Sequence, residues 1–209
     1  MVYVSADAGL TADKFGIRPE VALVFGGAEN VYAEYNEAKR LCAEAGLPFV
    51  TAVLNSALSV FPGRVDIGVT LHPENLAKWL PERGLHNLPP VTYVWAHRPA
   101  TNVARYTRDW GGSCSLFATK VLRTEGFNKI ILCGCPMDTA AGHFLRKARW
   151  NAALAFRRGW NSHKKEIPPS CLRSMSGWTK EQFSFPTVEW LKEPCTIGPH
   201  RPRPFPLKA

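Results

Sequence analysis

Val21-Ala22-Leu23-Val24-Phe25-Gly26-Gly27-Ala28-Glu29-Asn30 is the stretch that decides the fold. Five apolar residues run without alternation, the pattern of a strand covered on both faces. The run breaks at Gly26-Gly27, and a helical period follows over 30–45, with Val31, Ala38, Leu41, Cys42 and Ala45 on its inner side. Gly46 and Pro48 close that helix in the usual order. In an α/β protein, a strand that ends in glycines and opens a helix lies at the ligand edge of the sheet. Glycines there let backbone amides approach an anion, and the helix N-terminus adds partial positive charge.

Outward from this unit the alternation repeats. Strands are predicted at 19–26, 49–54, 65–71, 91–96, 130–134 and 172–176. Helices are predicted at 30–45, 73–80, 113–125, 142–159 and 179–191. On the helix predicted at 142–159, Phe144, Leu145, Ala148, Ala152, Ala155 and Phe156 share one arc, with the basic residues outside it. The expected class is α/β: a Rossmann-like, mainly parallel sheet of about six strands with helices on both faces. At 209 residues the chain is expected to form one domain over 1–193, followed by a proline-rich basic tail at 194–209.

The formal charge of +9 is concentrated in two places. Residues 143–165 contain Arg146, Lys147, Arg149, Arg157, Arg158, Lys164 and Lys165 and no acid, and the tail adds Arg201, Arg203 and Lys208. The remainder is close to neutral. A basic helix of this kind fits an anionic ligand, a nucleic-acid contact or a solvated helix face. No stretch is apolar enough to span a bilayer, so no membrane partner is expected. Met1–Asp7 has neither a basic start nor an apolar core, and a cytoplasmic location is expected. The six cysteines, at 42, 114, 133, 135, 171 and 195, read as reduced thiols, because the one-residue gap between Cys133 and Cys135 does not suit zinc.

Ligands in open parallel sheets bind beyond the C-terminal strand ends, so the residues there are the candidate site. They are Gly26, Gly27, Glu29 and Asn30; Asn55 and Ser56; His72 and Glu74; His97 and Arg98; Gly134, Pro136, Met137 and Asp138; and Arg173, Ser174 and Ser176. A second glycine turn, Gly111-Gly112-Ser113, opens the helix predicted at 113–125. His72 reads as a general base or a helix cap, and His143 as a phosphate contact or a solvated loop residue. Asp138 reads as a ligand for Mg²⁺ or a turn cap. Arg173 reads as a partner for a phosphate or for Glu181.

Several of these segments resemble a known family. They are Gly26-Gly27-Ala28-Glu29-Asn30, Asn55-Ser56-Ala57, Leu71-His72-Pro73-Glu74, and above all Gly111-Gly112-Ser113-Cys114-Ser115-Leu116-Phe117-Ala118 with Gly126 to Gly134. Gly142-His143 adds to them. The family is the domain of unknown function shared by archaeal 6-hydroxymethylpterin diphosphokinase-like proteins and many bacterial and phage proteins. Campylobacter-type sialyltransferases are similar at a greater distance. Arg173-Ser174-Met175-Ser176-Gly177 resembles the phage-type members. Two departures stand out: the first turn lacks the family's Gly-Pro-Ser-Leu, and Pro136 replaces its aspartate, with Asp138 two positions on.

The resemblance implies a Rossmann-like fold and a nucleoside-phosphate ligand. The leading expectation is a transferase that uses a nucleoside phosphate or a nucleotide-activated sugar. Gly26, Gly27, Gly112 and Ser113 would hold phosphates, and Asn55 the base or ribose. Asp138 would hold Mg²⁺ for diphosphate transfer, and His72 or His143 would move the proton. The alternatives are a non-catalytic nucleotide-binding protein and a nucleic-acid accessory protein acting through residues 143–165.

Overall fold

The structure, a computed structural model, describes residues 20–108, 113–136, 142–143, 146–149, 169–176 and 185–195. Its centre is β1 (Val21–Phe25), in which all five residues are buried. Helix α1 (Val31–Ala45) follows and stops at Gly46, whose left-handed backbone returns amide bonds to the last turn. Then come β2 (Phe49–Leu54), a 3-10 segment (Asn55–Ser59), β3 (Val65–Thr70), a 3-10 turn (Pro73–Asn75) and α2 (Leu76–Leu85). Strand β4 (Val91–Ala96), the two-residue β5 (Arg105–Tyr106), α3 (Cys114–Thr124) and β6 (Lys129–Cys133) complete the middle of the chain. Beyond it lie β7 (Gly142–His143), β8 (Arg146–Arg149), β9 (Leu172–Ser174) and α4 (Val188–Lys192).

Seven strands form one sheet in the order β5-β4-β3-β2-β1-β6-β9, and every pairing is parallel. The fold is therefore the expected α/β class, with one strand more than predicted, the short edge strand β5. From β1 the chain winds outward through β2, β3 and β4, then crosses back to β6 on the other side of β1. Helix α3, on that return crossover, covers one face: Leu116, Phe117, Val121 and Leu122 pack on Val24, Ala52, Ile67 and Leu132. Helices α1, α2 and α4 cover the other through Tyr35, Leu41, Leu76, Trp79 and Trp190. Opposite directions of winding place helices on opposite faces when crossovers keep one hand.

Two helical expectations are corrected. Residues 142–143 and 146–149 do not begin a basic helix: β7 and β8 pair antiparallel, with His143 opposite Arg146 and Gly142 opposite Arg149. The arc of Phe144, Leu145, Ala148, Ala152, Ala155 and Phe156 is a local signal, and local antiparallel pairing overrides it here. Residues 150–159 lie outside the described part. The last helix begins only at Val188 rather than running through 185–187. Pro186 biases Phe185 out of the helical region, and the Thr187 hydroxyl accepts the Trp190 amide at 3.1 Å as the cap.

Candidate functional site

The reversal of strand order falls between β1 and β6, where open α/β sheets leave a crevice at the C-terminal edge. Here that crevice is closed by the chain itself. The Gly26 amide donates to the Cys133 carbonyl at 2.8 Å, and the Gly27 and Ala28 amides to the Gly134 carbonyl at 3.1 Å. Gly26 permits the approach, since a Cβ there would collide with the Gly134 carbonyl and lie 2.6 Å from Cys135 Sγ. Gly134 itself is left-handed, at φ +63°. The amides of the first glycine turn, expected to cradle phosphate, are thus hydrogen-bonded internally.

A carboxylate already occupies the anion position beside them. Glu34 accepts the Gly134 amide at 2.6 Å, the Ser176 hydroxyl at 2.8 Å and the Asn30 side-chain amide at 2.5 Å. It is only 8% exposed. Burial raises its pKa, and the three hydrogen bonds oppose that shift. Sequence reasoning missed Glu34. The signal was a carboxylate on the buried stripe of α1, between Val31 and Ala38 and four residues after Asn30. The neighbouring Glu29 is exposed.

A second group of polar residues gathers at the ends of β2, β3 and β4. Asn55 is left-handed at φ 49°, unusual for a residue with a side chain. Its Oδ1 accepts the Thr70 hydroxyl at 2.9 Å and the Cys114 thiol at 3.3 Å, and among the described residues its Nδ2 donates to none. Thr70 Oγ1 in turn accepts the His72 backbone amide at 2.8 Å. His72 Nδ1 lies 3.5 Å from Glu74, whose other oxygen accepts from Arg98 at 2.7 Å. The His72 side chain makes no helix cap. Glu74 is held below the usual carboxylate range, chiefly by its own backbone amide and then by Arg98. Burial lowers the pKa of His97 beside them, and Arg98 adds to the effect. Ser113 caps α3 by accepting the Leu116 amide, placing that helix N-terminus next to Asn55 through Cys114.

The remaining expected residues are placed as follows. Ser56 lies in the 3-10 segment, where its carbonyl accepts the Ser59 hydroxyl. Arg173 and Ser174 fall short of the edge, level with Leu23 and Val24 through Ile131 and Leu132, and Ser176 is the residue that reaches it. The Arg173 guanidinium stacks 4.9 Å from the Trp190 ring, and Ser174 Oγ is buried with no partner among the described residues. Gly111, Gly112 and Asp138 lie outside the described residues, and His143 is placed only as a β7 backbone position. Among the described residues no three ligating side chains cluster for a metal. Glu34 and Glu74 are both engaged by donors, and Asp138, the expected Mg²⁺ ligand, is not among the described residues. No helix among the described residues is long and apolar enough to cross a membrane.

A cavity of about 620 Å³ opens elsewhere, between α1 and the 60–64 loop. Tyr32, Tyr35, Lys39, Phe61, Arg64 and Asp66 line it. None of the expected strand-end residues does, so this hollow and the polar strand ends are separate places. The strand ends carry the imidazole, carboxylate and guanidinium groups of His72, Glu74 and Arg98. Set beside known proteins, the chain matches no family model, no curated protein and no solved structure. The class defined by its own geometry is a doubly wound parallel α/β protein with a polar C-terminal edge.

Proposed function

We propose that this chain is a nucleoside-phosphate-dependent transferase acting at the β2–β4 half of the edge, with His72 as the proton-transfer group. One observation carries the reading: a continuous run of contacts links Asn55, Thr70, His72, Glu74 and Arg98 beside the capped N-terminus of α3. A left-handed Asn55, an imidazole beside a carboxylate–guanidinium pair and an anion-favouring helix end together support a ligand at this edge. Glu74, 3.5 Å from Nδ1, stabilises the imidazolium once formed, leaving Nε2 for the substrate. Asn55 Nδ2 recognises the base or ribose. An acceptor hydroxyl gives its proton to His72 Nε2 as its oxygen bonds the transferred phosphorus or anomeric carbon. The bond to the leaving phosphate breaks, its electron pair stays on that phosphate, and Arg98 and the α3 N-terminus stabilise the charge.

A non-catalytic nucleotide binder is the second reading, favoured by Pro136 standing where the resembled family has its aspartate. Titrating the full chain with nucleoside di- and triphosphates and nucleotide-activated sugars, with and without Mg²⁺, tests both. Ligand bound by the folded state raises Tm by mass action. In the transferase reading His72→Ala lowers turnover about 10²–10⁴-fold with the Tm shift retained. A Tm shift in wild type without turnover supports the binder, and the absence of any nucleotide-dependent shift refutes both.

A further inference from the structure

We propose that Cys171 and Cys195 are a redox pair that forms a reversible disulfide by exchange with a small external disulfide, locking the segment after α4 to the β9 edge. Their sulfurs lie 2.7 Å apart, closer than unbonded sulfur atoms rest, across 24 positions of sequence. Cys171 ends the 3-10 turn Pro169–Cys171 that leads into β9, and Cys195 follows α4 by three residues. The two segments are already docked: Trp190 Nε1 donates to the Ser170 carbonyl at 3.0 Å. The bond therefore needs only a small shift of two ordered pieces.

A cation stands near the pair. The Lys129 ammonium lies 4.4 Å from the Trp190 ring and close enough to both sulfurs for their charges to interact. Cations beside a thiol favour the thiolate, which is the reacting form. Exposure sets the order of attack. Cys195 is half-buried, whereas Cys171 is fully buried with its thiol pushed up to about 11. Cys195 thiolate attacks one sulfur of R–S–S–R, forming Cys195–S–S–R and releasing R–S⁻, which takes a proton from solvent. Cys171 then loses its proton to solvent and attacks the Cys195 sulfur, expelling the second R–S⁻. The protein loses two hydrogens and the external disulfide becomes two thiols. The other thiols are less suited: among the described residues no other two sulfurs come within hydrogen-bonding reach of each other, and Cys114 donates to Asn55.

The test equilibrates the full chain in oxidised glutathione or in dithiothreitol, traps free thiols by alkylation, and maps peptides by mass. The expected result is a Cys171–Cys195 cross-link and a Tm higher by about 5–10 °C in the oxidised sample, the scale for closing a loop of this length. Cys195→Ser abolishes both, and Cys42→Ala keeps both. Glutathione adducts without the cross-link, cross-links between other cysteines, or an unchanged Tm in fully cross-linked protein would each overturn the proposal.

Discussion

Three donors converge on Glu34: the Gly134 amide, the Ser176 hydroxyl and the Asn30 side chain. Its carboxyl titrates above the ordinary 4.5, because burial outweighs those bonds. The folded state therefore takes up the proton before the unfolded chain does. This contribution to stability is complete below 4.5 and is lost as pH rises through the folded value. The Tm of wild type measured against Glu34→Gln should rise as pH falls toward 4.5 and level off above the folded value. Parallel profiles between pH 4 and 7 would show that Glu34 titrates normally. Gly26 allows a sharper test. Gly26→Ala forces a methyl onto the Gly134 carbonyl and should cost about 1–3 kcal/mol, read as a lower urea midpoint at unchanged slope. An unchanged midpoint would mean that β1 and β6 are not so close.

Between α2 and the loop before β3, a single side chain joins two elements. The buried guanidinium of Arg83 donates to the carbonyls of Leu58, Phe61, Gly63 and Pro89. Four backbone acceptors that leave regular structure are satisfied from one helix position, as buried carbonyls require. Burial depresses the pKa of the guanidinium, yet its donors all find partners. Arg83→Ala should cost about 3 kcal/mol or more and lower Tm by roughly 6–12 °C, because those carbonyls lose their partner. A loss under one degree in calorimetry would show that water replaces the clamp. Arg83 was invisible to amphipathic reasoning, which assigns charged residues to the solvent side. Its partners come from 20 to 25 residues upstream as well as from the turn that follows.

Across the whole molecule, each parallel pairing joins strands separated by a crossover, and the β1–β6 pairing brings together residues about a hundred positions apart. Loop closure must precede the gain from such contacts. Refolding by stopped-flow tryptophan fluorescence should therefore fall in the range of milliseconds to seconds. A dominant phase below a millisecond would contradict this topology.

The order of elements from 20 to 136, apart from the two-residue β5, was legible in the sequence because the strands there are mainly apolar runs with single polar residues such as Thr51, Asp66 and Thr92 inside them. Such runs fit only a sheet covered on both sides, and the helices between them carry clear caps at Gly46 and Ser113. The strand ends followed from that order, which is why Asn30, Asn55, His72, Ser113 and Gly134 could be named as edge residues. Register could not be read in the same way. Whether Arg173 or Ser176 reaches the edge depends on how β9 slides along β6, which is set by hydrogen bonds between strands far apart in sequence. The pairing of 142–143 with 146–149 was misread because a helical period of apolar residues does not show local antiparallel pairing. Tertiary structure alone decided that the glycine turn after β1 holds the chain's own carbonyls rather than waiting open for a phosphate. An amide's partner is chosen by what folding brings within 3 Å, and here folding brought Gly134 and Glu34.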